Sequence, residues 1–140
     1  MIPADEKRQP KPAQAKQAGQ TSRKRVRPPH WPPGIGSDAE LALLVRIEAA
    51  ELPKPVHQFK FCPTRRWHAD MAYPAAMLLI EVDGGAYVAG RHTRGAGFEA
   101  DCIKQSTAAA LGYRVIRVTP RQIKSGEAVR LIAQALGVTP

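Results

Sequence analysis

No run of apolar residues in this 140-residue chain approaches membrane-spanning length, and the opening "MIPADEKRQPKP" has no apolar core of the kind a secretory leader needs. Cysteine is nearly absent. Cys62 and Cys102 are the only two, without C-x-x-C spacing, which argues against a disulfide framework. A zinc cluster drawn from Cys62, His57, His68, His92 and Cys102 would match no recognised ligand pattern. The expected setting is therefore cytoplasmic and reducing, with no membrane partner and two ordinary thiols. No internal repeat is visible.

What the chain does have is positive charge, unevenly placed. The formal net charge is +9. Residues 1–36 hold eight Lys/Arg against two acids and seven of the thirteen prolines, and run through "TSRKRVRPPHWPP" without apolar periodicity. Such a segment cannot bury enough apolar surface to offset the entropy of ordering, so it reads as a disordered basic arm. A flexible cationic arm suits a polyanion through phosphate contacts without sequence preference; a solvated tail fits the same composition. The remaining residues 37–140 form one domain of ordinary size, and a hydrophobic fraction of 44% is enough to fill its core.

The order of elements follows from periodicity and breakers. Ser37 caps a helix through "SDAELALLVRIEAAEL", with Leu41, Leu44, Val45 and Ile47 as its apolar stripe, and "LPKP" ends it. "VHQFKF" alternates as a first strand closed by Pro63. "RRWHADMAY" is a second strand, with Trp67, Ala69 and Met71 on one face and Arg66, His68, Asp70 and Ala72 on the other. Pro74 and the alanines turn the chain into a third, "AMLLIEVDG", giving an antiparallel meander. "GGAYVAGRHTRGAG" is a Gly-rich basic loop, and "FEADCIKQSTAAAL" a helix with Gly112 as its C-cap. "YRVIRV" is a fourth strand with its valines and isoleucine alternating against the arginines. "TPRQIKSGEAVRLIAQAL" is a last helix whose first turn Gly126 disturbs. A strand–helix–strand step of that length makes a parallel pair with right-handed crossover. The expected fold is α/β, a mixed four-stranded sheet in α-β-β-β-α-β-α order with helices on both faces.

Within this frame the third strand is unusual. "MLLIEVDGG", residues 77–85, carries Glu81 and Asp83 on alternate residues just before two glycines, so both carboxylates project to the same side. Like charges so close raise each other's pKa unless water or a cation lies between them. Asp-Gly is also the commonest tight-turn dipeptide between strands, and a plain exposed turn accounts for the pattern if nothing else converges on it. Strands two and three are neighbours, however, so Asp70 can face Glu81, and Asp70, Glu81 and Asp83 form one acidic cluster. Hard oxygen ligands of that kind select Mg²⁺ or Mn²⁺. A water acidified by such an ion is an in-line nucleophile for a phosphodiester, and the same ion shields the charge that develops.

These residues also carry a resemblance. An acid on strand two, then an E-x-acid pair on strand three, in that element order, resembles the PD-(D/E)XK nuclease superfamily. The segments "HADMAYP", "LLIEVDGG" and "GRHTRGAGFEADCIKQSTAAALGYRVIRVT" are similar to compact endonuclease-domain proteins of bacteria and phage related to very-short-patch-repair endonucleases, over about residues 38–136. The resemblance implies a restriction-endonuclease-like core and DNA hydrolysis to 5′-phosphate and 3′-hydroxyl products, in a bacterial or phage-infected cell. It matches Asp70 to the acid of the second strand and Glu81 to the first acid of the third, both as catalytic metal ligands. Asp83 stands where many members carry lysine, which leaves the general base open. Lys104, on the following helix, can reach back in its place, and His92, after the glycines, can shuttle a proton near neutral pH. Glu40 matches an acid placed on the first helix as an outer metal ligand, and equally suits the helix dipole. Arg65, Arg66, Arg91 and Arg94 are the expected phosphate clamps, or pair with the acids when DNA is absent. Trp67 and Phe98 either stack on a base or pack in the core.

The leading expectation is a Mg²⁺- or Mn²⁺-dependent endonuclease acting on DNA. Cutting both strands with one small site commonly takes two copies, which leaves a homodimer open. The rival is a non-catalytic DNA-binding module on a nuclease-like scaffold, favoured by the missing lysine. A nucleoid-like protein using only the arm leaves the carboxylates unexplained.

Overall fold

The computed structural model describes residues 32–84 and 94–139. Arg91, His92 and all of the basic arm before Pro32 lie outside the described residues, as does the side chain of Arg94. Ordered structure reaches further back than Ser37: Ile35 is fully buried in the main core.

Helix α1 spans Asp38–Ala49. Ser37 starts it: its Oγ accepts from the Glu40 N–H at 3.2 Å and donates to Glu40 Oε1 at 3.0 Å, while the Gly36 N–H donates to Glu40 Oε2 at 2.9 Å. This reciprocal cap satisfies backbone donors that a helix start leaves unpaired. The buried stripe is Glu40, Leu43, Leu44 and Ile47, spaced i, i+3, i+4, i+7. Val45 lies one residue off that stripe and is 56% exposed, so its expected place in the core belongs to Leu43.

The strands are β1 (Val56–Lys60), β2 (His68–Tyr73), β3 (Leu78–Val82) and β4 (Arg114–Val118), adjacent in the sheet in that order. β1–β2 and β2–β3 pair antiparallel, and β3–β4 pair in parallel. The second strand is shorter than its sequence suggests, because Arg65 and Arg66 fall in the turn before it. Helix α2 (Arg94–Ala110) forms the crossover between β3 and β4, beginning four residues before the expected Phe98. The last helix divides in two, α3 (Pro120–Ser125) and α4 (Glu127–Leu136). Gly126 sits between them at φ +85°, in the left-handed region that stops one helix and lets the next start at a new angle.

Two apolar layers hold the sheet. Met71, Leu78, Ile80 and Val118 face Leu43, Ile47, Ile123 and Ile132 of α1, α3 and α4. Ala72 and Leu79 face the other way, towards Ala108 of α2, with Phe61, Trp67 and Tyr113 extending that cluster. The second face carries the polar groups described next.

Candidate active site

Leu79 and Glu81 of β3, and Asp83 just after it, point to the α2 side, as period-two alternation requires, and all three line a cleft with Val115 and Arg117 of β4 and Asp101, Lys104, Gln105 and Ala108 of α2. The cleft encloses about 100 Å³. The apolar end of each strand is pinned in the layer under α2, so the charged ends are carried to a fixed place at the carboxyl edge of the parallel pair.

Asp70 approaches Glu81 from β2. The β2–β3 register ends at Met71↔Ile80, and one further step places Asp70 opposite Glu81. The β1–β2 register also passes over this point, pairing His57↔Met71 and Phe59↔Ala69 and skipping Gln58, whose φ is +48°. Asp70 is thus released by the ladders on both sides. Its Oδ2 instead accepts the Val82 N–H at 2.8 Å, taking the place of a strand carbonyl and ending the β2–β3 pairing there. A side chain that replaces a ladder bond lets the strands separate beside two carboxylates.

Glu81 is the electrostatic centre. Burial pushes its carboxyl above the usual range; the Lys104 ammonium, 2.7 Å from Oε1, draws it back, and Asp70 adds a smaller upward push. Lys104 reaches this carboxylate from the middle of α2.

Asp83 has a different fate. It lies on the same side as Glu81, but Arg117 grips it in a fork, Nε to Oδ2 at 2.9 Å and Nη2 to Oδ1 at 2.6 Å. The parallel register sets Arg117 beside Glu81, and its guanidinium also lies 3.9 Å from Asp101 of α2. Contact with Asp83 holds Arg117 even more firmly protonated than usual. Among the described residues no three of His, Cys, Asp and Glu gather closely enough to hold one ion. The expected three-carboxylate cluster of Asp70, Glu81 and Asp83 is therefore not gathered as one group among the described residues, where Asp83 is held by Arg117, a cation the sequence reading did not include. Glu40 is 7% exposed and accepts hydrogen bonds at both oxygens from the start of its own helix, from the Gly36 N–H and the Ser37 hydroxyl.

Of the expected phosphate clamps, Arg65 and Arg66 stand exposed in the β1–β2 connection, and neither is ion-paired among the described residues. Arg65 lies over the Trp67 ring at 4.8 Å, and that ring stacks on Phe61 at 6.5 Å. Trp67 is thus a packing residue. Phe98 is not: it is 71% exposed on α2. The residues that the sequence reading missed are Arg117 and Asp101. Arg114 and Arg117 are three apart, which no strand can place on one face; that spacing was the available signal, and Val115 with Arg117 proves to face α2 while Ile116 and Val118 face the opposite core.

Among the described residues no helix is long and apolar enough to cross a membrane. No protein-family model matches the chain, and no curated protein matches it. Among solved structures it is similar to the homing endonuclease I-Bth0305I catalytic domain, with a TM-score of 0.50 and 17% identity over 70% of this chain and 91% of that one. At that identity the likeness is one of fold, and the fold of this chain is α/β, a four-stranded mixed sheet flanked by helices.

Proposed function

We propose that the protein is a metal-dependent endonuclease that hydrolyses DNA phosphodiester bonds to 5′-phosphate and 3′-hydroxyl ends, on a PD-(D/E)XK-type core. The observation that carries this reading is the ion pair of Glu81 with Lys104, the lysine 2.7 Å from a carboxylate whose pKa burial raises and which also feels the charge of Asp70 on the neighbouring strand. Two carboxylates on adjoining strands, one of them largely buried, fit Mg²⁺ or Mn²⁺, which binds through one or two carboxylates and keeps waters elsewhere. Asp70 and Glu81 would hold the ion; it would supply charge neutralisation at the scissile phosphate and a more acidic water.

The chain's own residues do the rest. Lys104, anchored on Glu81, presents ammonium hydrogens from the α2 side, where they orient a water or a phosphate oxygen. This is the task that a lysine at the place of Asp83 performs in the superfamily the sequence resembles. Arg65 and Arg66, with Arg91 and Arg94, hold flanking phosphates, and His92 moves a proton. Asp83 is outside the metal pair and Glu40 braces the first helix in this scheme.

The test is nicking of supercoiled plasmid with Mg²⁺ or Mn²⁺. Asp70→Ala and Glu81→Ala are expected to abolish nicking while the melting transition persists. Undiminished cleavage by either variant removes the proposal, and salt-sensitive DNA binding with no metal-dependent cleavage in the wild type assigns a binding module instead.

A further inference from the structure

Among the described residues, the cleft beside Glu81 holds more negative than positive side chains: Glu81, Asp83 and Asp101 against Lys104 and Arg117. Lys104 has three carboxylates within the same small space and contacts one of them. What sets that choice is visible in the other cation. Arg117 fills both oxygens of Asp83 and lies beside Asp101, so the two acids that compete with Glu81 for the lysine are already engaged. We infer that Arg117 is a positioning residue: by occupying Asp83 and Asp101 it commits Lys104 to Glu81.

The inference rests on the hydrolytic reading above and specifies how that site is kept in register. It also gives Asp83 a role where the superfamily pattern has lysine. With an acid at this position the cation has to arrive from elsewhere, and the acid then needs a partner of its own. Arg117 supplies one from β4, where the parallel register brings it beside Glu81. Stability is a poor explanation for the pair, since Arg117 and Asp83 are 38% and 34% exposed, and ion pairs at that exposure add little to folding.

Two measurements on the full chain test this. The first uses the metal-free protein. In ¹⁵N spectra of lysine ammonium groups, the Lys104 signal, assigned by its loss in Lys104→Met, is expected to be protected from exchange in the wild type. It is expected to lose protection in Arg117→Gln, and to regain it in Arg117→Gln with Asp83→Asn. The second is nicking kinetics: Arg117→Gln is expected to lower kcat about tenfold or more with little change in KM. Arg117→Lys should recover part of that, the double variant most of it, and all these variants should melt within a few degrees of the wild type. Protection of Lys104 that persists in Arg117→Gln, or is absent in the wild type, overturns the inference. So does a kcat loss that Asp83→Asn does not restore, because Arg117 would then touch substrate directly. If the wild type cuts nothing, the hydrolytic reading fails and the ammonium spectra still decide whether Arg117 positions Lys104.

Discussion

At the scale of single residues, the site is a matter of which charges find which partners. Lys104 faces Glu81 at 2.7 Å with both side chains three-quarters or more shielded, so its replacement removes a proton donor held at a fixed place. Lys104→Met is expected to lower nicking turnover by about 10²- to 10⁴-fold while leaving plasmid binding nearly intact, as read by single-turnover cleavage alongside gel retention. Equal loss in both would make Lys104 a binding residue only. A second residue-level prediction concerns His57, outside the site. Both ring nitrogens are shielded and have no hydrogen-bond partner among the described residues, and burial, then Lys54, lower its pKa, with a smaller opposing effect from Glu48. The folded state therefore prefers the neutral ring. Its stability is intact above the unfolded value near 6.5 and declines as pH falls through that value towards the lower folded one. Melting temperatures taken from about pH 7 down to about pH 5 should fall more steeply for the wild type than for His57→Phe; parallel curves would show that the ring titrates without cost to the fold.

At the scale of elements, the sequence made visible whatever depends on local periodicity and breakers. The cap at Ser37, the three-strand meander and the crossover helix are all local or nearest-neighbour features. What stayed hidden depends on register between distant segments. Arg117 meets Asp83 only because β4 pairs with β3 as Glu81↔Arg117, and a one-residue slip would have turned Arg117 to the opposite face. The broken last helix was half visible: Gly126 marked the place, but a left-handed φ there is a tertiary outcome. The entry segment shows the same dependence on packing. Gly34 has φ +89°, and a Cβ on it would lie 2.5 Å from the Cβ of His57 in β1. Gly34→Ala is therefore expected to cost about 2 kcal/mol or more, combining backbone strain with overpacking, measured by urea denaturation. A cost below about 0.5 kcal/mol would mean that the entry segment is not held against β1 in solution.

At the scale of the whole molecule, the proposed function poses the question of how a small domain would keep hold of a long polyanion. Residues 37–140 carry only a small share of the +9 net charge, and eight Lys/Arg lie within the first 27 residues. The division of labour this suggests is affinity from the arm and chemistry from the sheet. Truncation tests it cleanly only if it spares the core. Removing residues 1–36 also takes Ile35, which is fully buried against the main cluster, so a folding defect would be mistaken for a binding one. Removing residues 1–27 leaves that packing in place. The shortened protein is expected to bind duplex DNA more weakly in low salt, with a visibly shallower plot of log affinity against log salt, since each lost phosphate contact takes about 0.9 from the slope. Its metal-dependent nicking at saturating DNA should be close to that of the full chain, because Asp70, Glu81 and Lys104 are untouched. Fluorescence anisotropy at several salt concentrations, alongside nicking at saturation, separates the outcomes. An unchanged slope makes the arm a solvated tail. Complete loss of binding together with loss of nicking would mean that the domain has no grip of its own, and that Arg65 and Arg66, which form no ion pair among the described residues, do not hold phosphate.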